Sequence, residues 1–140
     1  MKKFSFSLQK VLKLREFREE ECKIALGQAI SVLNEIENKI KETAIKHHHA
    51  ASQRFNDPMQ ISLWNNYIIM LDQEAERLTK QAAQAEIVVE EKRALYMEAS
   101  RDVKAIEKLK EKRQKEYRKE MFNKQMTEVD DLTSARLFLQ

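Results

Sequence analysis

One glycine (Gly27), one proline (Pro58) and one cysteine (Cys22) are all the chain contains of those types across 140 residues. Turns draw on Gly, Pro, Asn and Asp clusters, so this scarcity excludes a compact fold of many short elements. Turn chemistry gathers at one place, Asn56-Asp57-Pro58. Few breaks mean few and very long elements. A single glycine also leaves no phosphate-cradling loop to be written. A single cysteine cannot close an intrachain disulfide; at an apolar seam it reads as a small core residue in a reducing compartment. No apolar run approaches the roughly 18 residues needed to span a bilayer. The opening Met1-Lys2-Lys3-Phe4-Ser5-Phe6 has the charged start of a signal peptide, but Lys10, Lys13 and Arg15 interrupt any secretory core. The expected location is cytoplasmic. A large charge excess is missing too: the net charge is +3, which gives no strong whole-chain pull toward nucleic acid.

What the chain does have is order. Charged residues make up 35% and apolar residues 42%. A disordered chain at this charge content would not set its apolar residues in a fixed period, and a composition rich in Ala, Glu, Lys, Leu and Arg favours long helices. Steps of three and four from Ile61 land on Trp64, Ile68, Leu71, Ala75, Leu78, Ala82, Ala85, Val89, Lys92, Tyr96, Ala99, Val103 and Ile106. All but Lys92 are apolar. This seven-residue repeat supercoils helices left-handedly. An earlier version runs through Cys22, Leu26, Ala29, Leu33, Ile36 and Ile40. Upstream, Phe4, Leu8, Val11, Leu12, Leu14 and Phe17 read as a wider, less regular apolar face.

Asp57 can cap a helix whose first position suits Pro58, with Gln60 where a capping box wants it. Pro58 disfavours helical geometry at Asp57, so the preceding helix should stop near residue 55. The expectation is an all-α fold, residues 1–140 forming a single antiparallel coiled-coil hairpin. Helix one covers about 7–55, the corner 56–58 and helix two about 59–138. Folding back at residue 57 sets residue 8 against about residue 106, where the regular second seam dies. At about 1.5 Å per residue the second helix could reach ~120 Å and the first ~75 Å. Residues 107–140 would then overhang. The stretch 101–120 holds nine basic and five acidic residues, and beyond it come Met121, Phe122, Met126, Val129, Leu132, Leu137, Phe138 and Leu139. Unpaired apolar residues on an overhanging helix imply a partner surface, with fraying as the bland alternative.

Other features have plainer readings. Successive helical residues point about 100° apart, so His47, His48 and His49 cannot converge on one metal ion, and an exposed face explains them. Tyr67 and Met70 lie off the seam just past the corner. They either pack on Phe55 and Ile45 or form a docking site, a role that aromatics and methionine favour. Small seam residues such as Ala75, Ala82, Ala85 and Ala99 bury little area, so stability should be modest and partner-dependent. No catalytic residue, metal or cofactor is assigned, because two helices offer no pocket to perturb a titratable group. A DNA-binding zipper would need a denser basic region beside a parallel leucine repeat. No nucleic acid or small-molecule substrate is therefore expected, and the chain reads as a binder of proteins.

Phe4-x-Phe6-x-Leu8-x-x-Val11-Leu12-x-x-Arg15 before a Glu-rich helix resembles the start of the FliJ family of flagellar type III export proteins. Gln125-Met126-Thr127-Glu128-Val129-Asp130-Asp131-Leu132 is similar to that family's C-terminal acidic-leucine stretch, with Val129 for an expected leucine and Asp131 for a usual glutamate. The resemblance covers essentially the whole chain. It implies a stalk like the central subunit of rotary ATPases, seated in the ring of the export ATPase FliI and promoting its assembly. It further implies contact with the export gate FlhA, escort of export chaperones, and peripheral association with the inner membrane through these partners. On that basis Phe4, Phe6, Leu8, Val11 and Leu12, with Tyr117, Met121, Phe122, Met126, Val129 and Leu132, are expected to meet the ATPase, and Tyr67 and Met70 the gate. The rival expectations are the stalk of a virulence type III secretion system, and a coiled-coil chaperone or scaffold with no ATPase.

Overall fold

A computed structural model describes residues 3–139. Two helices account for nearly all of them: α1, Gln9–Ala51 (43 residues), and α2, Pro58–Phe138 (81 residues). No strand occurs among the described residues. The all-α helical hairpin expected from the sequence is the fold observed. The chain reverses at residues 52–57, and pairs such as Arg15 with Asp102, and His47 with Asp72, show the two helices running antiparallel.

The corner is built by its own side chains. Asp57 Oδ1 accepts the Met59 N–H at 3.1 Å, and the Asp57 carbonyl accepts the Ile61 N–H at 3.0 Å, so Asp57 caps α2 with Pro58 at the first position. α1 ends at Ala51, four residues short of the expected limit. The N–H groups of Ser52 and Gln53 close onto the carbonyls of His48 and Ala50, and the Ser52 hydroxyl donates to the His49 carbonyl at 2.7 Å. With those end carbonyls satisfied, the chain to Asp57 is free to adopt the extended geometry that a following proline favours.

α2 carries much of its own support outside the seam. Glu76–Lys80, Glu111–Lys115 and Glu120–Lys124 are i,i+4 pairs, and Glu74–Arg77 and Glu90–Arg93 are i,i+3 pairs. In all five the acid precedes the base, the orientation that suits the helix dipole, and because all are exposed each contributes only weakly.

Contacts gather into two compact units, Glu20–Met97 and the pairing of Met1–Glu19 with Glu98–Gln140. In the first, Leu71, Leu78 and Val89 are buried from α2, and Leu78 is only 1% exposed. Cys22, Leu26, Ala29, Leu33, Ile36 and Ile40 are half-buried opposite them, as are Trp64, Ile68, Ala75, Ala82, Ala85, Lys92 and Tyr96. The α1 seam continues past Ile40 in the same three-and-four steps through Thr43, His47 and Ala50, of which Thr43 and Ala50 are buried. Thr43 satisfies its hydroxyl within the helix, donating to the Lys39 carbonyl at 2.9 Å. Ile61, the first residue of the expected α2 seam, is exposed, because α1 has already ended at Ala51.

In the second unit Phe6, Leu12, Val103 and Ile106 form a buried cluster, with Phe4, Leu8 and Leu109 packed on it. Ala99 is buried in the same unit. The wider apolar face expected upstream is not formed. Steps of three and four from Leu12 land on Arg15 and Glu19, which are half-buried, while Leu14 and Phe17 point outward, 69% and 63% exposed. Arg15 finds a partner across the helices, donating through Nη1 to the Asp102 carbonyl at 3.3 Å.

Candidate functional site

Two surfaces carry the side chains singled out by sequence, one in each unit. The first is built where the chain ahead of α1 meets α2. Pairing does not stop at Ile106. The non-helical segment before Gln9 continues antiparallel along α2. Arg113 donates to the Ser7 hydroxyl at 3.3 Å, its guanidinium carbon sits 5.9 Å from the Phe6 ring centroid, and the Phe4 and Tyr117 rings lie 5.6 Å apart, tilted by 54°. The overhang therefore begins beyond Tyr117 and Met121, three to four helical turns later than expected.

This divides the expected ATPase-binding residues into two sets. Phe6 and Leu12 are buried, and Phe4, Leu8, Tyr117 and Met121 are half-buried. Their apolar surface is largely engaged within the chain, where it fastens the N-terminal segment to α2. Val11 is 37% exposed. From Phe122 to Leu139 every side chain is exposed, including Phe122, Met126, Val129 and Leu132. Phe122, Met126 and Val129 follow one another at i, i+4 and i+7, so they form one stripe. Phe122 lies nine residues beyond Arg113 and sixteen beyond Ile106, which places it roughly opposite the face that meets the N-terminal segment. The stripe is thus separate from the intramolecular seam. Periodicity fitted to a single seam could not reveal that change of face.

The second surface lies by the corner. Tyr67 and Met70 are exposed and line an open groove with Lys39, Glu42 and Lys46. Ile45, expected as possible cover for them, is itself exposed, and Phe55 is half-buried. Met59 and Leu63 enlarge the uncovered patch. Trp64 is fixed beside it by its indole N–H, which donates to the Ala50 carbonyl. Sequence reasoning passed over one further patch in this unit: Ile87, with Ala83 and Ala94, rimmed by Glu86, Glu90 and Glu91. Its signal was an apolar residue on the outer face of an otherwise charged helix.

The exposed face expected for the three histidines holds for two of them. His47 turns into the helix interface and meets Asp72 at 3.0 Å, whereas His48 and His49 are exposed. Among the described residues no group of three or more His, Cys, Asp or Glu is placed to hold a metal ion, and no helix is long and apolar enough to cross a membrane. Glu74 shows how charge is handled on this surface. Hydrogen bonding from the Arg77 guanidinium holds its carboxyl below the ordinary value of 4.5.

Long paired helices, an uncovered apolar stripe on one helix and an uncovered corner patch define a coiled-coil-like helical hairpin with open apolar surfaces. The match to known proteins is of that class. The family described as Flagellar FliJ protein matches residues 4–140, essentially the whole chain, and the chain belongs to the FliJ family. That is a family of structural and adaptor proteins of flagellar export. No curated protein and no solved structure matches.

Proposed function

We propose that this chain is a stalk and adaptor of the flagellar type III export apparatus, binding the export ATPase FliI through the end of α2 and promoting its ring assembly. The observation that carries the reading is the stripe of Phe122, Met126 and Val129, exposed on a helix whose intramolecular cover ends at Tyr117. Exposed apolar rows on a helix favour insertion into a complementary surface. In this reading Phe4, Phe6, Leu8 and Leu12 hold the stripe in place, Phe122, Met126, Val129 and Leu132 offer contact surface, and Val11 and the open part of Met121 extend it. The patch of Tyr67 and Met70 is the proposed site for the export gate FlhA, and the same protein escorts export chaperones. It works in the cytoplasm, held at the inner membrane through these partners alone. The family match favours a flagellar over a virulence secretion system.

The test is ATP hydrolysis by the purified export ATPase with the full chain and with a chain truncated before Met121, which keeps the Phe4–Tyr117 contact. Stimulation by the full chain and its loss on truncation are expected. Equal stimulation by both would remove the stripe from the ATPase contact, and none by either would leave a scaffold without an ATPase.

A further inference from the structure

The exposed end of α2 has a charge order that the apolar stripe alone does not explain. Residues 108–119 contain seven basic and two acidic side chains, whereas residues 125–135 contain three acidic and none that is basic. The two blocks lie on either side of residue 124, near the centre of the stripe. Lys119 and Asp130 stand eleven residues apart, close to three full turns, so both lie on the same edge of it. Glu111 and Arg136, twenty-five residues apart, lie close to seven turns apart and continue the stripe at its two ends. Each pair has opposite signs, on either side of a centre between Phe122 and Met126.

We propose that the stripe is the contact surface for a second copy of this chain, laid antiparallel. A two-fold axis near residue 124 would bring Lys119 of one copy to Asp130 of the other, and Glu111 to Arg136, each twice, with Phe122 and Met126 of both copies meeting at the centre. A parallel pair would instead set basic block against basic block. The face is free for this, since Phe4 and Phe6 occupy the opposite side of α2 at Tyr117 and Arg113. Contact between identical patches about a two-fold axis also closes on itself and forms no filament. An anionic lipid surface would use the basic block but would be repelled by Glu128, Asp130 and Asp131. A second copy uses both blocks.

The stripe is the one the ATPase reading uses, so self-association and ATPase binding would exclude one another, and the test of self-association needs no other protein. Sedimentation velocity of the full chain at low salt should show a monomer–dimer equilibrium, weakened at ~1 M salt as the charge pairs are screened. Phe122→Asp, at an exposed position, should leave helicity unchanged and raise the dissociation constant about tenfold or more, the loss typical of a central anchor residue. Lys119→Glu and Asp130→Lys should each raise it about fivefold, as two exposed pairs per dimer predict. Combined in one chain they should restore it. That restoration is specific to antiparallel register. A chain monomeric at ~100 µM, or a dimer indifferent to Phe122→Asp and to the charge reversals, would overturn the proposal. A monomer that floats with phosphatidylglycerol vesicles would assign the stripe to lipid instead.

Discussion

The indole N–H of Trp64 donates to the carbonyl oxygen of Ala50 at 2.6 Å, joining the first turns of α2 to the last turn of α1. The Ala50 carbonyl belongs to the last turn of α1, where carbonyls lack the usual helical partner, and it accepts the Gln53 N–H from the chain just beyond at 3.2 Å. Trp64 adds a second donor from the opposite helix. Trp64→Phe keeps most of the packing and removes only this donor, so it should lower the stability of the hairpin by about 1 kcal/mol. Urea unfolding followed by circular dichroism measures it, and an unchanged midpoint would show that the corner does not depend on this bond.

The seam makes a steeper prediction. Leu78 is 1% exposed, and Leu78→Ala should cost about 2–4 kcal/mol through lost transfer energy and the cavity left behind. Leu33→Asp places a carboxylate in the half-buried seam opposite and should melt the hairpin. Unchanged helicity after Leu33→Asp would contradict the seam.

Acid should act weakly at Glu74. Its carboxyl titrates below 4.5 because the Arg77 guanidinium hydrogen-bonds it. A lowered folded value means the pair stabilises the fold above the ordinary carboxylate value. That contribution is lost as pH falls through the lowered one. Since both groups are exposed the effect is small and screened by salt. Between pH 6 and 3 the urea midpoint should therefore fall less for Glu74→Gln than for the parent chain, and the difference should shrink at ~1 M salt. Equal acid sensitivity would mean the pair contributes nothing.

Much of this was legible in the residues. The scarcity of glycine and proline gave two helices, Asp57 and Pro58 gave the corner, and the three-and-four spacing gave the paired seam from Trp64 to Ile106. Three features were not legible, for identifiable reasons. Thr43, His47 and Arg15 occupy seam positions but are polar, so an apolar pattern passes over them. The segment from Phe4 to Ser7 pairs without helical period, through ring contacts and the Arg113 bond to Ser7, so no spacing could extend the interface to Tyr117. The residues from Phe122 read as a partner surface, but not as one ordered row, because that row lies on a different face of α2 from the seam. The N-terminal motif was read as contact surface, yet Phe6 and Leu12 are buried within the chain. Apolar residues in a motif do not say whether their partner is inside the protein or outside it.

The seam, the N-terminal anchor and the corner patch exist only because the chain reverses just ahead of its one proline and packs against itself. Spin labels on cysteines placed at Glu37 and Thr79, both exposed and on facing helices, test this with Cys22→Ala as background. Packed helices lie about 8–10 Å apart, so the labels should read within about 20 Å of each other. One unbroken helix would hold those positions ~63 Å apart, and a distance near that value would contradict the fold and the binding surfaces together.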